Sequence, residues 1–409
     1  MGRSRSLLAL SAALVLASGC ASSSATPSSP APTGSTASPG ASASTPAATP
    51  TPPPSATPSP TPAPYANLIL YYTPPGAGAQ NGAYYLIGAD GTGKRSLAAG
   101  RFAHWTADGS GIEIVSIDNK TCVPSLTVYH VDGSAPTPVG IDFKAGDTWF
   151  SWTPDGTRLA FFRYTSGKLP YPCGQGGMGA SAAALQRNLY VVNSDGSDLN
   201  MIQSKVPGVE PLAWMPDGSS LLMIRHGASD MDGPIVRIDV ATHVATVVIA
   251  SGTYQAITVS PDGQLISYTK YAGTGTLWRL QTAAIDGTNK HDLGSNTAWD
   301  YQLTWGSDNA HAALQRAPVA ADHTLSDHLY WLDPTVTPVS IVHVTADAET
   351  ITMNVDWSPG DDWLAYVGVA HSGGNVHPGP VTLIHPDGTG KTALAGTNNV
   401  EWLAWQPMP

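Results

Sequence analysis

From residue 65 onward, short apolar runs alternate with polar turns at a nearly constant interval. An apolar run ends near a Trp, a Pro-Asp-Gly-like turn follows, and a second apolar run comes after it. The copies are FAHWTADGSGIEIVSI, WFSWTPDGTRLAFFRY, PLAWMPDGSSLLMIRH, AITVSPDGQLISYTKY, QLTWGSDNAHAALQR and VDWSPGDDWLAYVGV, with a truncated LAWQPMP at the end. Runs this short, rich in β-branched and aromatic residues and bounded by Gly, Pro and Asp, predict strands rather than helices. A second turn follows in a regular place: ADGTGK (89–94), VDGSAP (131–136), NSDGSD (193–198), AIDGTNK (284–290) and HPDGTGK (385–391). Strand-like residues precede each, such as LYVV (189–192) and LWRL (277–280). Asp-Gly pairs tolerate the positive φ of tight hairpins. Each unit therefore reads as strand A, turn, strand B, variable loop, strand C, turn, strand D.

The anchors Trp105, Trp152, Trp214, Val259, Trp305, Trp357 and Trp405 are spaced 47, 62, 45, 46, 52 and 48 residues apart. That period fits one four-stranded propeller blade per repeat. The W-x-P-D-G copies resemble the repeats of TolB-like and WD-repeat-like β-propellers over essentially all of residues 65–409. The fold class expected is all-β, a seven-bladed propeller. The first strands, NLILYY (67–72) and AYYLI (83–87), lack a preceding anchor, and Trp405 lacks following strands. Pairing the C-terminal strand with the N-terminal ones completes a blade and leaves no open edge. TolB itself is usually described with six blades, so the likeness is to the repeat. The recurring Trp residues are expected to pack between blades. Asp108, Asp155, Asp217 and Asp262 are expected to bond their own turns.

The first 64 residues differ in kind. Arg3 and Arg5 precede an apolar run, Leu7–Leu16, and then Ala17-Ser18-Gly19-Cys20. The run is too short to span a bilayer and reads as a signal peptide. Small residues ending in Cys resemble the lipobox of bacterial lipoproteins, which implies lipidation at Cys20 and an extracytoplasmic protein held at the cell membrane. Residues 21–64 contain only Ala, Ser, Thr, Pro and Gly. They offer no apolar surface to offset chain entropy and are expected to form a disordered linker reaching about 40–130 Å.

Composition removes some functions. The formal charge is −11, with no Lys/Arg run, so nucleic acid is not an expected partner. Gly88-Ala89-Asp90-Gly91-Thr92-Gly93-Lys94 is close to a phosphate-binding loop but continues with Arg95 and no helix pattern, so it reads as a hairpin turn. No nucleophile elbow or H-E-x-x-H motif appears. No cofactor is expected.

Antiparallel strands put the A–B and C–D turns at one end of the blades and the long, irregular B–C and D–A loops at the other, where binding usually lives. The candidate ligand-binding residues there are Asp147, Trp149, Glu210, Tyr254, Trp299, Asp300, Tyr301 and Glu401. The B–C loops add Asp230, Asp232, Asp322 and Asp327. An acidic, aromatic-lined mouth suits a cationic peptide or a sugar. The function expected is a monomeric, non-enzymatic scaffold binding an envelope protein, peptide or glycan. The alternative is a metal-dependent polysaccharide lyase or hydrolase using His226, His323, His328, His371 and His377. Cys122 and Cys173, in successive B–C loops of an exported chain, are expected to form a disulfide.

Overall fold

The computed structural model describes residues 67–76, 79–165, 186–207, 212–226, 232–273, 277–318, 327–336, 339–346, 351–372 and 375–408. The signal segment, the linker, Glu210, Asp230, Asp322, His323 and Cys173 lie outside them.

The turns form as their sequence dictates. Gly109, Gly156, Gly218 and Gly263 all adopt positive φ, between +63° and +70°, where a side chain would be strained. The Asp before each accepts the backbone N–H two residues beyond it: Ser110 on Asp108, Thr157 on Asp155, Ser219 on Asp217 and Gln264 on Asp262, at 2.9–3.0 Å. A hydroxyl at the turn entrance donates to the same carboxylate from Thr106, Thr153 and Ser260. Burial pushes the Asp155 carboxyl up, but the bonds from Thr153 and Thr157 outweigh it and hold it below its ordinary range.

Antiparallel strands and no helix form among the described residues. Leu68–Thr73 (β1), Gly82–Gly88 (β2) and Arg95–Gly100 (β3) come first. Phe102–Trp105 (β4), Gly111–Ile117 (β5), Pro124–His130 (β6) and Thr137–Val139 (β7) make the next sheet. Thr148–Trp152 (β8), Arg158–Tyr164 (β9), Gln186–Asn193 (β10) and Asn200–Pro207 (β11) follow. Ala213–Trp214 (β12), Ser220–Ile224 (β13), Asp232–Asp239 (β14), Ala245–Val259 (β15), Leu265–Tyr271 (β16), Trp278–Ala284 (β17) and His291–Asp292 (β18) are joined in one hydrogen-bonded sheet. Ala298–Trp305 (β19), Ala312–Pro318 (β20), His328–Leu332 (β21) and Ile341–His343 (β22) form a further sheet. Ile351–Trp357 (β23), Leu364–Ser372 (β24), Asn375–Ile384 (β25) and Thr392–Ala393 (β26) form another. Trp402–Trp405 (β27) then returns to pair with β1, with Ile69 opposite Trp405 and Tyr72 opposite Trp402.

The result is a β-propeller closed by its two chain ends. Counted by continuous hydrogen bonding, the described residues hold five four-stranded sheets and one seven-stranded sheet, not seven separate ones. The merger has a local cause. The connection before β16 stays extended, so β15 pairs with β14 through Ala245–Thr253 and with β16 through Tyr254–Val259.

Hydrophobic layers fill the gaps between sheets. Ala160, Phe162 and Leu189 meet Trp214, Leu221 and Met223 in one, and Val115 and Leu126 meet Trp152, Leu159 and Phe161 in another. A further layer, with Leu222, Ile224 and Ile235 against Ile257, Ile266 and Tyr268, separates the two halves of the seven-stranded sheet. Ile69 and Tyr71 join Val381, Leu383 and Leu403 across the closing strand.

β8, β12, β15, β19, β23 and β27 each touch the next around the ring, as the inner strands of neighbouring blades do. The anchor Trp residues stitch these strands together. Trp105 Nε1 donates to Ala404 O (3.3 Å), Trp214 Nε1 to Ser151 O (3.0 Å), Trp305 Nε1 to Thr258 Oγ1 (3.0 Å) and Trp357 Nε1 to Thr304 O (3.0 Å). In every case the acceptor belongs to the residue just before the preceding anchor.

Candidate functional site

At the turn end the polar groups are committed to structure. Gln406 Nε2 reaches Gly109 O at 2.7 Å, Arg158 Nη2 reaches Gly218 O at 2.7 Å, and Asp262 N–H reaches Asn309 Oδ1 at 2.9 Å. Ser307 donates to Asp361 through both N–H (2.9 Å) and Oγ (2.6 Å). Each bond ties one turn to its neighbour. Asn309 and Asp361 stand at positive φ, near +65° and +55°, where the other copies carry Gly. The side chains gained there make the turn-to-turn bonds. Asp308, His311 and Asp361 also place one potential ligand atom each within 4.8 Å of the others, the one such group among the described residues. Its atoms already bond one another and the adjacent backbone, as in the 2.6 Å contact of His311 Nδ1 with Asp308 Oδ2.

At the long-loop end the candidates separate. Asp147 and Asp300 are buried and take equivalent roles in two sheets. Asp147 receives Arg163 Nε at 2.8 Å and Nη2 at 2.7 Å, and Asp300 receives Arg316 Nε at 2.5 Å. Each Arg then caps a carbonyl of the preceding sheet, Asp142 O at 2.8 Å or Leu293 O at 2.9 Å. A backbone N–H completes each carboxylate, Lys144 for Asp147 and Leu280 for Asp300. Burial raises the Asp147 carboxyl despite the pull of Arg163. These carboxylates rivet sheets together.

Tyr254 is buried edge-on against Tyr268, and its hydroxyl donates to Ala250 O at 2.7 Å. Trp149 adopts φ +57° beside a register shift in β8, which turns it toward the layer around Trp214. Glu401 is exposed, with its backbone N–H on Tyr72 O.

Trp299 and Tyr301 do come together. Their rings stack at 5.6 Å with planes 7° apart, and both are half-buried. The Asp327 carboxylate lies against the Tyr301 hydroxyl and receives Gln315 Nε2 at 3.2 Å. Burial lifts Asp327 to about 6, with Gln315 and Tyr301 pulling the other way. Burial also raises the Tyr301 hydroxyl, and the charge of Asp327 adds to it. Asp327 Oδ1 and Trp299 Nε1 are buried without a hydrogen-bond partner. Gln315 was not legible as a site residue, since its place beside Asp327 follows only from the register of β20 with β21. Asp327 was visible as a loop acid, with nothing in the sequence to set it apart from Asp230 or Asp232.

Of the five histidines of the metal alternative, only His226 and His328 have side chains among the described residues. His226 is buried, and His328 is buried with its ring 5.0 Å from that of His343. His371 and His377 lie on β24 and β25, with Ala370 opposite His377, and their side chains fall outside the described residues. No His/Asp/Glu group found among the described residues includes any of the five. Cys122 is buried and has a partner, whereas Cys173 lies outside.

No family model and no curated protein matches the sequence. Solved structures match the fold. The β-propeller domain of the Trilobed protease from Pyrococcus furiosus aligns at TM-score 0.56 with 12% identity, covering 81% of this chain and 96% of that one. Puromycin hydrolase aligns at TM-score 0.59 with 13% identity, covering 81% of this chain and 52% of that one, so the chain spans about half its length. TolB from Acinetobacter baumannii aligns at TM-score 0.47 with 16% identity, covering 83% of both chains. The first two likenesses, at 12–13% identity, establish the propeller alone.

Proposed function

We propose that this protein is a membrane-anchored, extracytoplasmic binding scaffold whose long-loop end takes a protein, peptide or glycan of the cell envelope. The observation that carries the reading is the contrast between the two ends. The turn end ties its polar groups into the fold, whereas the long-loop end keeps the Trp299–Tyr301 stack and the under-bonded Asp327 together. Half-buried aromatic pairs beside polar groups are a common basis of recognition. We read the seven-stranded sheet as two blades sharing β15, which gives a seven-bladed propeller of TolB-like repeats. The hydrophobic layer between its halves supports that count. The lipobox-like Ala17-Ser18-Gly19-Cys20 and the linker 21–64 support the anchor. A Cys122–Cys173 bond belongs to the same reading, because an exported chain meets oxidising conditions.

The test uses the full lipidated chain. Membranes are solubilised in detergent, and partners captured by wild type are compared with those captured by a Trp299→Ala/Tyr301→Ala variant of unchanged melting temperature. Loss of a partner in the variant supports the reading, and identical capture by both refutes the site. Cys20→Ala should move the protein from the membrane to the soluble fraction. A variant that stays membrane-bound after a salt wash would refute the lipid anchor.

A further inference from the structure

We propose that Trp299, Tyr301, Gln315 and Asp327 form a site for a cationic residue within a peptide, a Lys ammonium or Arg guanidinium whose adjoining backbone carbonyl meets Trp299. The proposal rests on the reading of the long-loop end as a binding face and names the chemistry that face would take.

The two faces of one sheet make the case. Asp300 and Trp299 are consecutive on β19 and so point to opposite faces. Across the register, Arg316 stands opposite Asp300 and Ala317 opposite Trp299. On the first face the carboxylate has its own cation, with Arg316 Nε 2.5 Å from Asp300 Oδ1. Gln315 lies on the second face with Ala313, which packs toward Val355 and Trp357 of the next sheet. Here, among the described residues, the carboxylate of Asp327 has neutral neighbours only, Gln315 and Tyr301. One of its oxygens is buried without a bond. A half-buried carboxylate with no counter-charge is costly to ionise, and an incoming cation relieves that cost.

The aromatic pair adds to the selectivity. A cation near a Trp or Tyr face is attracted by the ring quadrupole. Trp299 Nε1 is a buried donor with no acceptor. A bare amine cannot satisfy it, whereas the carbonyl of a peptide can. The chain carries a formal charge of −11, which favours the approach of a cationic partner.

The experiment is isothermal titration of the purified full chain with acetyl-Gly-Lys-Gly-amide, acetyl-Gly-Gln-Gly-amide, agmatine and maltotriose. The lysine peptide and agmatine should bind, and the glutamine peptide should bind at least tenfold more weakly. Asp327→Asn retains an acceptor for Gln315 and should lower affinity for both cations about tenfold or more. Trp299→Phe should weaken the lysine peptide several-fold and leave agmatine nearly unchanged, which separates the carbonyl contact from the cation contact. Affinity for the cations should also fall as pH drops below about 6, where Asp327 takes up a proton. Equal cation binding by wild type and Asp327→Asn, or no cation binding by wild type, would overturn the proposal. Maltotriose binding lost in Trp299→Phe, without cation binding, would make the pair a saccharide platform. That outcome would sink the cation site while leaving the scaffold reading standing.

Discussion

Two kinds of seam face the anchor Trp residues of the inner strands. In one, the Trp indole of the next strand finds an oxygen on the residue before the preceding anchor: Ala404, Ser151, Thr258 or Thr304. In the other, that residue is ionisable, His104 before Trp105 or Asp356 before Trp357. There the facing indole of Trp405 is buried without a hydrogen-bond partner among the described residues, and that of Trp152 turns to the Glu113 carboxyl instead. His104 stacks on Trp152 at 5.5 Å, and Glu113, directly opposite it on β5, is buried in the same seam. Asp356 serves the closure instead. It receives Trp405 N–H at 2.7 Å while Asn354 receives Leu403 N–H at 2.8 Å, so side chains satisfy the free edge of β27. The regular seams are bonded through neutral groups, and the irregular ones place titratable groups in the interior. Stability at the irregular seams should therefore depend on pH.

The closing seam offers the most drastic test. Deleting residues 401–409 removes β27 and unpairs β1, leaving the ring with exposed edges. We expect insolubility or loss of cooperative unfolding, and a truncated chain with unchanged melting would place the closure elsewhere. Next in size is Asp300→Ala, which leaves Arg316 buried without its counter-charge. A cost of about 3–5 kcal/mol is expected in chemical denaturation. A loss below about 1 kcal/mol would mean that the pair is not a rivet.

The third test is pH. Burial raises Glu113 to about 8, against the pull of Trp152, and raises Asp356 to about 7, against the bonds from Trp405 and Trp357. A carboxyl raised in the folded state contributes fully below its unfolded value, and that contribution is lost as pH climbs toward the folded one. His104 has the opposite sign. Burial lowers it to about 4, against the charge of Asp155, so its contribution is lost as pH falls from about 6.5 toward 4. The histidine and carboxyl effects oppose each other between about 4.5 and 6.5. Above that range only the carboxyls act. Glu113→Gln should flatten the fall in melting temperature between about pH 6.5 and 8. An unchanged slope would remove Glu113 as its cause.

The smallest effect compares two indoles. Trp357→Phe breaks a bond to Thr304 O and strands that carbonyl, whereas Trp405→Phe removes a donor that has no partner among the described residues. The first should cost about 1 kcal/mol more than the second. Equal costs would show that the indole bonds do not distinguish the seams.

The Asp-Gly turns, the strand order of each unit and the closure through β27 were legible because each rests on local chemistry repeated many times. The candidate site was legible only in part. Trp299 and Tyr301 could be placed at the long-loop end by counting strands. Asp147 and Asp300 occupy the same kind of position and looked equally available, yet each meets an Arg 16 residues further on. Nothing in local sequence distinguishes a carboxylate that meets an Arg across a strand pair from one that meets only Gln315. The blade count was likewise obscured at β15, where a continuous strand joins two sheets.

By itself the sequence determined the repeat, the turns and the all-β propeller, because hairpin geometry and period-two burial act over a few residues. Only the tertiary structure decided which polar groups are spent on holding sheets together and which remain under-bonded. That choice depends on register and on the facing sheet, and those contacts lie tens to hundreds of residues away along the chain.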